Sequence, residues 1–200
     1  AGMTIPETYG GQKLDDISEA IVIEELSRVD PSLGVMVAVH VGLCSMTIAL
    51  SGSEEQKKKY LPGIASGELR LQAFGVTEPG SGTDTTSIRT FAKREGDEYV
   101  VNGQKVWTSR AEHSDLMLLL ARTTPKDEVT KRTDGLSVFL VDLRKSLNHG
   151  VTIRPISTMI NHAKTDVFID DLRIPAEERI GEEGKVFRYI RHVMNDVMIL

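Results

Sequence analysis

LRLQAFGVTEPGSGTDTTS, residues 69–87, is the stretch on which the fold turns. Before it the chain reads as helix. From Leu69 to about Pro175, short β-rich runs alternate with turn residues. LRLQAFGV (69–76), SIRTFAK (87–93), EYVV (98–101), QKVWTS (104–109), DLMLLLAR (115–122), LSVFLVD (136–142), VTIRPI (151–156) and DVFID (166–170) are candidate strands. So many short strands in about a hundred residues predict a sandwich or barrel. Asn102-Gly103, between EYVV and QKVW, predicts a type I′ hairpin turn, which wants positive φ at both centres. The polar loop 123–135 reads as an exposed excursion.

N-terminal to this region, residues 15–29 and 32–51 carry helical patterning. Asp30 is a good N-cap and Pro31 suits a first helical turn. Glu24 stands four before Arg28, and Glu54/Lys58 and Glu55/Lys59 repeat that spacing. Ser53 and Gln56 have capping-box spacing ahead of a further helix. Lys57-Lys58-Lys59 reads as a solvated face. After Gly181 the helical period returns, with Val186, Ile190, Val193 and Val197 on one stripe. That stripe stops mid-pattern, which predicts a segment of a larger protein whose remainder, or a partner, covers it.

Composition narrows the function. The 200 residues carry 24 Lys plus Arg against 29 Asp plus Glu, a formal charge of −5. A mildly acidic chain without a basic patch argues against nucleic acid and against a polybasic membrane anchor. The lone cysteine, Cys44, excludes an internal disulfide and four-cysteine zinc sites and fits a reducing compartment rather than secretion. It reads as a small buried hydrophobe. The opening AGMTIPETYGG has no signal-peptide pattern. The apolar run 35–50 is 16 residues, short of the ~20 of a spanning helix, and reads as a buried helix. The five histidines, at 40, 113, 149, 162 and 192, show no metal-ligand spacing.

Two features carry chemistry. In residues 75–87, glycines permit close approach, and hydroxyls with backbone N–H groups suit a phosphate or a flat polar heterocycle. A solvent-exposed turn is the plain alternative. The loop is neither a Walker A sequence nor GxGxxG. The sole tryptophan, Trp107, precedes Thr108 and Ser109. It offers either a stacking face beside hydroxyl donors or a core indole closing a sandwich.

IPETYGG (5–11), SEEQKKKYLPGIASGE (53–68), GVTEPGSGTDTTS (75–87), NGQKVWTS (102–109) and FIDDLRIPAEERIGEEGKVFRYI (168–190), in that order, resemble the acyl-CoA dehydrogenase family. The resemblance implies an α+β architecture. Residues 1–68 would be the later part of a helical domain, 69–177 a sandwich- or barrel-like middle domain cradling flavin, and 178–200 the start of a C-terminal helical bundle. It implies α,β-dehydrogenation of an acyl-CoA thioester, FAD as cofactor, electron-transfer flavoprotein as acceptor, a homotetramer, and a location in bacterial cytoplasm or mitochondrial matrix. Phe74, Val76 and Thr77 match the strand end along the flavin. Phe74 stands where Tyr is common, without a hydroxyl. Gly82 and Thr83 match the loop under the FAD diphosphate, Thr83 also facing the thioester's pantetheine. Trp107 matches the aromatic flanking the flavin, and Thr108 and Ser109 the following contacts, Ser109 being the hydroxyl at flavin N5. Glu78 matches a loop-supporting residue.

The family's catalytic carboxylate lies beyond Leu200 in most members. In a minority it lies on the helix beginning near Glu183, just before an Arg, and those two positions match Val197 and Met198. Neither takes a proton. Asp196 is one residue off, about 100° around a helix. An acyl-CoA oxidase, a nitroalkane-oxidase-like enzyme, or a non-catalytic module of the same fold are the alternatives.

Overall fold

The computed structural model describes residues 2–159 and 163–189. The chain divides into two compact units, one running to Gln72 and the other spanning Ala73–Phe187. The hydrophobic stripe expected on residues 190–197, with Asp196, Val197 and Met198, lies outside the described residues.

The first unit is helical. Asp15 caps α1 (Asp16–Val29) by accepting from the Ser18 N–H at 2.8 Å. Asp30 serves two helices. Its N–H donates to the Leu26 carbonyl at the end of α1, and its carboxylate accepts from Ser32 N–H ahead of α2 (Pro31–Ala38). Arg28 pairs with Glu25 at 3.1 Å, three residues back, and not with Glu24 as expected.

The helix continues from α2 through a wider π turn, Val39–Ser45, into α3 (Met46–Ser51). The Ser45 hydroxyl donates to the His40 carbonyl five residues back, consistent with that wider register. The His40 ring lies against the Leu71 and Ile64 carbonyls at 3.2 and 3.4 Å, and burial pushes its pKa down. Pro31–Ser51 is therefore a 21-residue helix, longer than the apolar run alone suggested, and meets the length and composition needed to cross a membrane. His40, Val41, Cys44, Ser45, Thr47 and Ile48 on it are buried within the protein. Ser53 and Gln56 form a reciprocal capping box opening α4 (Glu54–Ser66), and Glu54 pairs with Lys57 at 3.0 Å rather than with Lys58.

The second unit is built on eight strands: β1 (Leu71–Gly75), β2 (Phe91–Glu95), β3 (Glu98–Ser109), β4 (Leu116–Arg122), β5 (Leu136–Asp142), β6 (Val151–Pro155), β7 (Lys164–Pro175) and β8 (Arg179–Ile180). The pairing runs β6-β7-β3-β2-β4-β5-β8, with β1 on β4. Two antiparallel halves are joined through one parallel pair, Phe91↔Arg122. Both halves feed one core: Tyr99, Val101, Val167 and Ile169 from one, Met117, Leu119, Phe139 and Val141 from the other. The Tyr99 and Phe139 rings meet edge-on at 4.8 Å. β4 is buried at every position, which explains its unbroken apolar run.

Asn102-Gly103 is not a hairpin turn. EYVV and QKVWTS are one strand, β3, and the turn lies earlier, at Gly96 (φ +64) and Asp97, between Glu95 and Glu98. Gly103 is glycine for space: a Cβ there would sit 2.4 Å from Thr90 Oγ1 and 2.7 Å from Thr90 Cα. Asn102 spends its side chain across the sheet. Its Nδ2 donates to Asp171 Oδ1 at 2.9 Å and its Oδ1 accepts from Asp171 N–H at 2.8 Å. The pairing with β7 slips by a bulge at this point.

Candidate functional site

Strand alternation sets the first face of the site. Along β1, Ala73 and Gly75 are buried while Phe74 is half-buried, and Val76 and Thr77 continue that partly exposed edge. Two bonds clip this segment to β3. The Val106 N–H donates to the Thr77 carbonyl at 2.9 Å, and Lys105 Nζ donates to the Val76 carbonyl at 3.1 Å.

Directly after that clip, β3 bulges. Its pairing with β7 runs to Lys105↔Val167 and resumes at Thr108↔Thr165, so Val106 and Trp107 oppose the single residue Asp166. Trp107 has φ +60 and is 53% exposed. A left-handed backbone costs a non-glycine residue roughly 1–2 kcal/mol, and an exposed indole gives up its burial energy as well. The bulge turns the ring out of the sheet, so it is not the core indole that a sandwich would allow. Thr108 turns inward: it is 2% exposed, its Oγ1 is buried without a hydrogen-bond partner, and its carbonyl accepts from Thr165 Oγ1 at 2.8 Å. Of the predicted cofactor contacts, Thr108 therefore offers no exposed side chain. Ser109 lies beyond, its Oγ accepting from Lys164 Nζ at 2.6 Å, and the chain leaves β3 through Arg110 at φ +56.

The loop after Thr77 is fixed by a buried carboxylate. Glu78 and Ser81 exchange two backbone hydrogen bonds of 3.1 Å. Glu78 Oε1 accepts from Lys105 Nζ at 2.8 Å and Thr90 N–H at 2.9 Å, and Oε2 from Arg89 N–H at 2.6 Å. Burial acts to raise the Glu78 pKa, but Lys105 and these donors outweigh it and hold the carboxyl below its usual value. Burial pushes Lys105 down to about 8 against the pull of Glu78. Further along, Asp84 accepts from the Ser87 and Thr86 hydroxyls, each at 2.5 Å, and from Arg132 at 2.7 Å. These contacts bring its pKa to about 2. The exposed excursion thus folds back: Arg132 meets Asp84, and Lys126 donates to Ser87 Oγ at 3.0 Å.

Gly80 and Gly82 stand in this held loop. Neither has a left-handed φ, and a Cβ on either would meet no atom within 4 Å. Nothing among the described residues demands glycine there, which leaves room for a molecule approaching from outside. Thr83 beside them is exposed. Together, an outward indole, the partly exposed Phe74–Thr77 edge, hydroxyls and an open small-residue loop fit a flat polar heterocycle carrying a phosphate tail, and so fit FAD. A separate cavity of about 250 Å³ between Pro79–Gly80 and Gln104 contains none of the predicted cofactor contacts.

Sequence reasoning missed Lys105 and Lys164. Both contacts need the bulged β3 register, which residue spacing does not announce. Cys44 is fully buried and its thiol is pushed up to about 12, so it is no nucleophile. Among the described residues no group of three His, Cys, Asp or Glu could hold a metal ion.

Comparison with known proteins supplies the wider context. Residues 1–68 match the family described as acyl-CoA dehydrogenase, N-terminal domain, and residues 73–172 match acyl-CoA dehydrogenase, middle domain. A short-chain-specific acyl-CoA dehydrogenase of Clostridium acetobutylicum is 36% identical over 187 residues, covering 93% of this chain and 48% of that protein. The crystal structure of acyl-CoA dehydrogenase from Geobacillus kaustophilus superposes with a TM-score of 0.88 at 34% identity, over 96% of this chain and 50% of that one. The ChsE4–ChsE5 complex from Mycobacterium tuberculosis gives a TM-score of 0.83 at 33% identity, over 98% of this chain and 49% of that one. The chain spans about half the length of the curated relatives it matches.

Proposed function

The chain belongs to the acyl-CoA dehydrogenase family, whose members are FAD-dependent oxidoreductases, and from that premise we propose that it forms the flavin cradle of an enzyme that desaturates an acyl-CoA thioester between its α and β carbons. When bound, FAD supplies the two-electron acceptor for the hydride leaving the β-carbon. The chain's own residues position and shield it. Trp107 offers a stacking face. Main-chain groups at Val76 and Thr77 and the Ser109 hydroxyl serve the polar edge. Gly82 and Thr83 leave backbone and hydroxyl donors for the diphosphate, with Thr83 also turned to the thioester's pantetheine arm.

The α-proton goes to a carboxylate outside the described residues. Glu78 is occupied by Lys105 and two N–H donors, and Asp84 by two hydroxyls and Arg132. Electron-transfer flavoprotein is the acceptor that completes the cycle. Assembly is with further copies or with a related second chain, the latter favoured by the similarity to a two-component complex.

The observation that carries this reading is Trp107, held outward in a left-handed bulge beside Ser109. Anaerobic addition of acyl-CoA to the purified full-length protein should bleach its bound flavin. Flavin that stays oxidised with every acyl-CoA tried would remove the dehydrogenase reading. A second reading, an oxidase on the same fold, is favoured by the 30% identity, over 98% of this chain, to a prolyl acyl carrier protein oxidase. Stoichiometric peroxide release in air would select it.

A further inference from the structure

We propose that Lys164 is a positioning residue that acts through Ser109, making this hydroxyl a committed, charge-polarised hydrogen-bond donor toward the bound flavin. The inference rests on the flavin reading above and adds a residue to it. An ammonium has three donors and no acceptor, so in the 2.6 Å contact Lys164 Nζ gives the hydrogen and Ser109 Oγ receives it. The Ser109 proton must then point elsewhere. No acceptor for it is present among the described residues. Ser109 follows the bulge that turns Trp107 outward, and its pairing with Lys164 is the last rung of the β3–β7 ladder. The free proton is therefore presented at the rim that Trp107 marks.

Among the described residues the lysine is also uncompensated. Lys164 is half-buried, and its ammonium meets no carboxylate among the described residues, whereas Lys105 is matched by Glu78. A full positive charge behind a hydroxyl polarises that hydroxyl, and hydrogen bonds in such a chain strengthen one another. Charge-assisted hydrogen bonds are roughly twice as strong as neutral ones. A donor of this kind discriminates between forms of its acceptor. Flavin N5, where the resemblance puts this hydroxyl, accepts a hydrogen bond in the oxidised ring and carries its own hydrogen in the reduced one, so a committed donor there favours oxidised over reduced flavin.

The test is the midpoint potential of FAD bound to the full-length protein, measured anaerobically for the wild type and for Lys164→Met, Lys164→Arg, Ser109→Ala and the Lys164→Met/Ser109→Ala double variant. Lys164→Met should weaken the preference for oxidised flavin about tenfold, a rise of about 30 mV for a two-electron couple. Lys164→Arg, also donor-only and charged, should restore it. In the Ser109→Ala background, Lys164→Met should change the preference by no more than about twofold, because the two residues work as one unit. Lys164→Gln serves as a second neutral variant if Met disturbs the β3–β7 pairing. An unchanged potential in both neutral variants overturns the proposal. So does an equal shift with and without Ser109, which would make Lys164 a bare charge. If the wild type binds flavin, either result removes only the role of Lys164; a wild type that binds none removes the flavin reading and this inference together.

Discussion

Replacing Glu78 by Gln tests how the loop under the proposed cofactor is held. Lys105 is fully buried and its ammonium is matched by the Glu78 carboxylate at 2.8 Å. Breaking a buried pair from one side costs about 3–5 kcal/mol, because the other charge is left uncompensated. The structure also sets a ceiling. Stranded Lys105 can instead lose its proton, and doing so at pH 7 from the ordinary value of 10.5 costs 3.5 pH units, or about 5 kcal/mol at 1.36 kcal/mol each. Gln keeps one oxygen for the Arg89 or Thr90 N–H, so the expected loss lies at about 3–4 kcal/mol at pH 7. That ceiling drops by about 1.4 kcal/mol for each pH unit gained, so at pH 9 it is about 2 kcal/mol. The assay is urea unfolding of the purified protein, wild type and variant, at pH 7 and pH 9, followed by circular dichroism. A loss below about 1 kcal/mol at pH 7 would place the pair with solvent-exposed ion pairs. A loss that does not shrink at pH 9 would refute the argument from Lys105.

Further expectations follow from the same geometry. Trp107→Ala should weaken FAD retention about tenfold, the loss of about 1.4 kcal/mol of aromatic contact, while Cys44→Ala leaves it unchanged; equal flavin content in the two purified variants would remove Trp107 from the site. Gly82→Ala should leave stability within about 0.5 kcal/mol, since its Cβ meets nothing among the described residues, yet lower FAD affinity; unaltered affinity by titration would mean that the loop is an ordinary turn. Gly103→Ala should destabilise by about 1–3 kcal/mol through its clash with Thr90, and neutral thermal unfolding would contradict the bulge. On acidification, the stability supplied by Glu78 is present above its unfolded value near 4.5 and is lost as pH falls through its lowered folded value. Wild type should therefore lose stability over that range more steeply than Glu78→Gln in an acid titration.

Local patterns made much of the fold legible. The capping box at Ser53 and Gln56, Asp30 before Pro31, and the apolar runs of β4 and β5 each carry their own physical cause within a few residues. The small-residue loop and Trp107 could be singled out by composition alone. What could not be read depends on register. Asn102-Gly103 has the chemistry of a turn, but Gly103 answers to the close approach of Thr90, and Asn102 to Asp171, 69 residues away. β8, only two residues long, has no period to detect. Lys105 and Lys164 look like ordinary strand lysines until the bulge at Val106–Trp107 shows which partner each faces. Thr108 carries a useful hydroxyl in sequence, yet the same bulge turns it into the interior.

The most direct measurement is a titration of the purified, flavin-stripped full-length protein with FAD, followed by the fluorescence of the wild type and of Trp107→Phe. Saturable binding, accompanied by quenching that the Phe variant lacks, is the result expected of an indole facing the isoalloxazine. Protein that remains colourless and takes up no FAD, or that binds it with Trp107 emission undisturbed, would contradict the account.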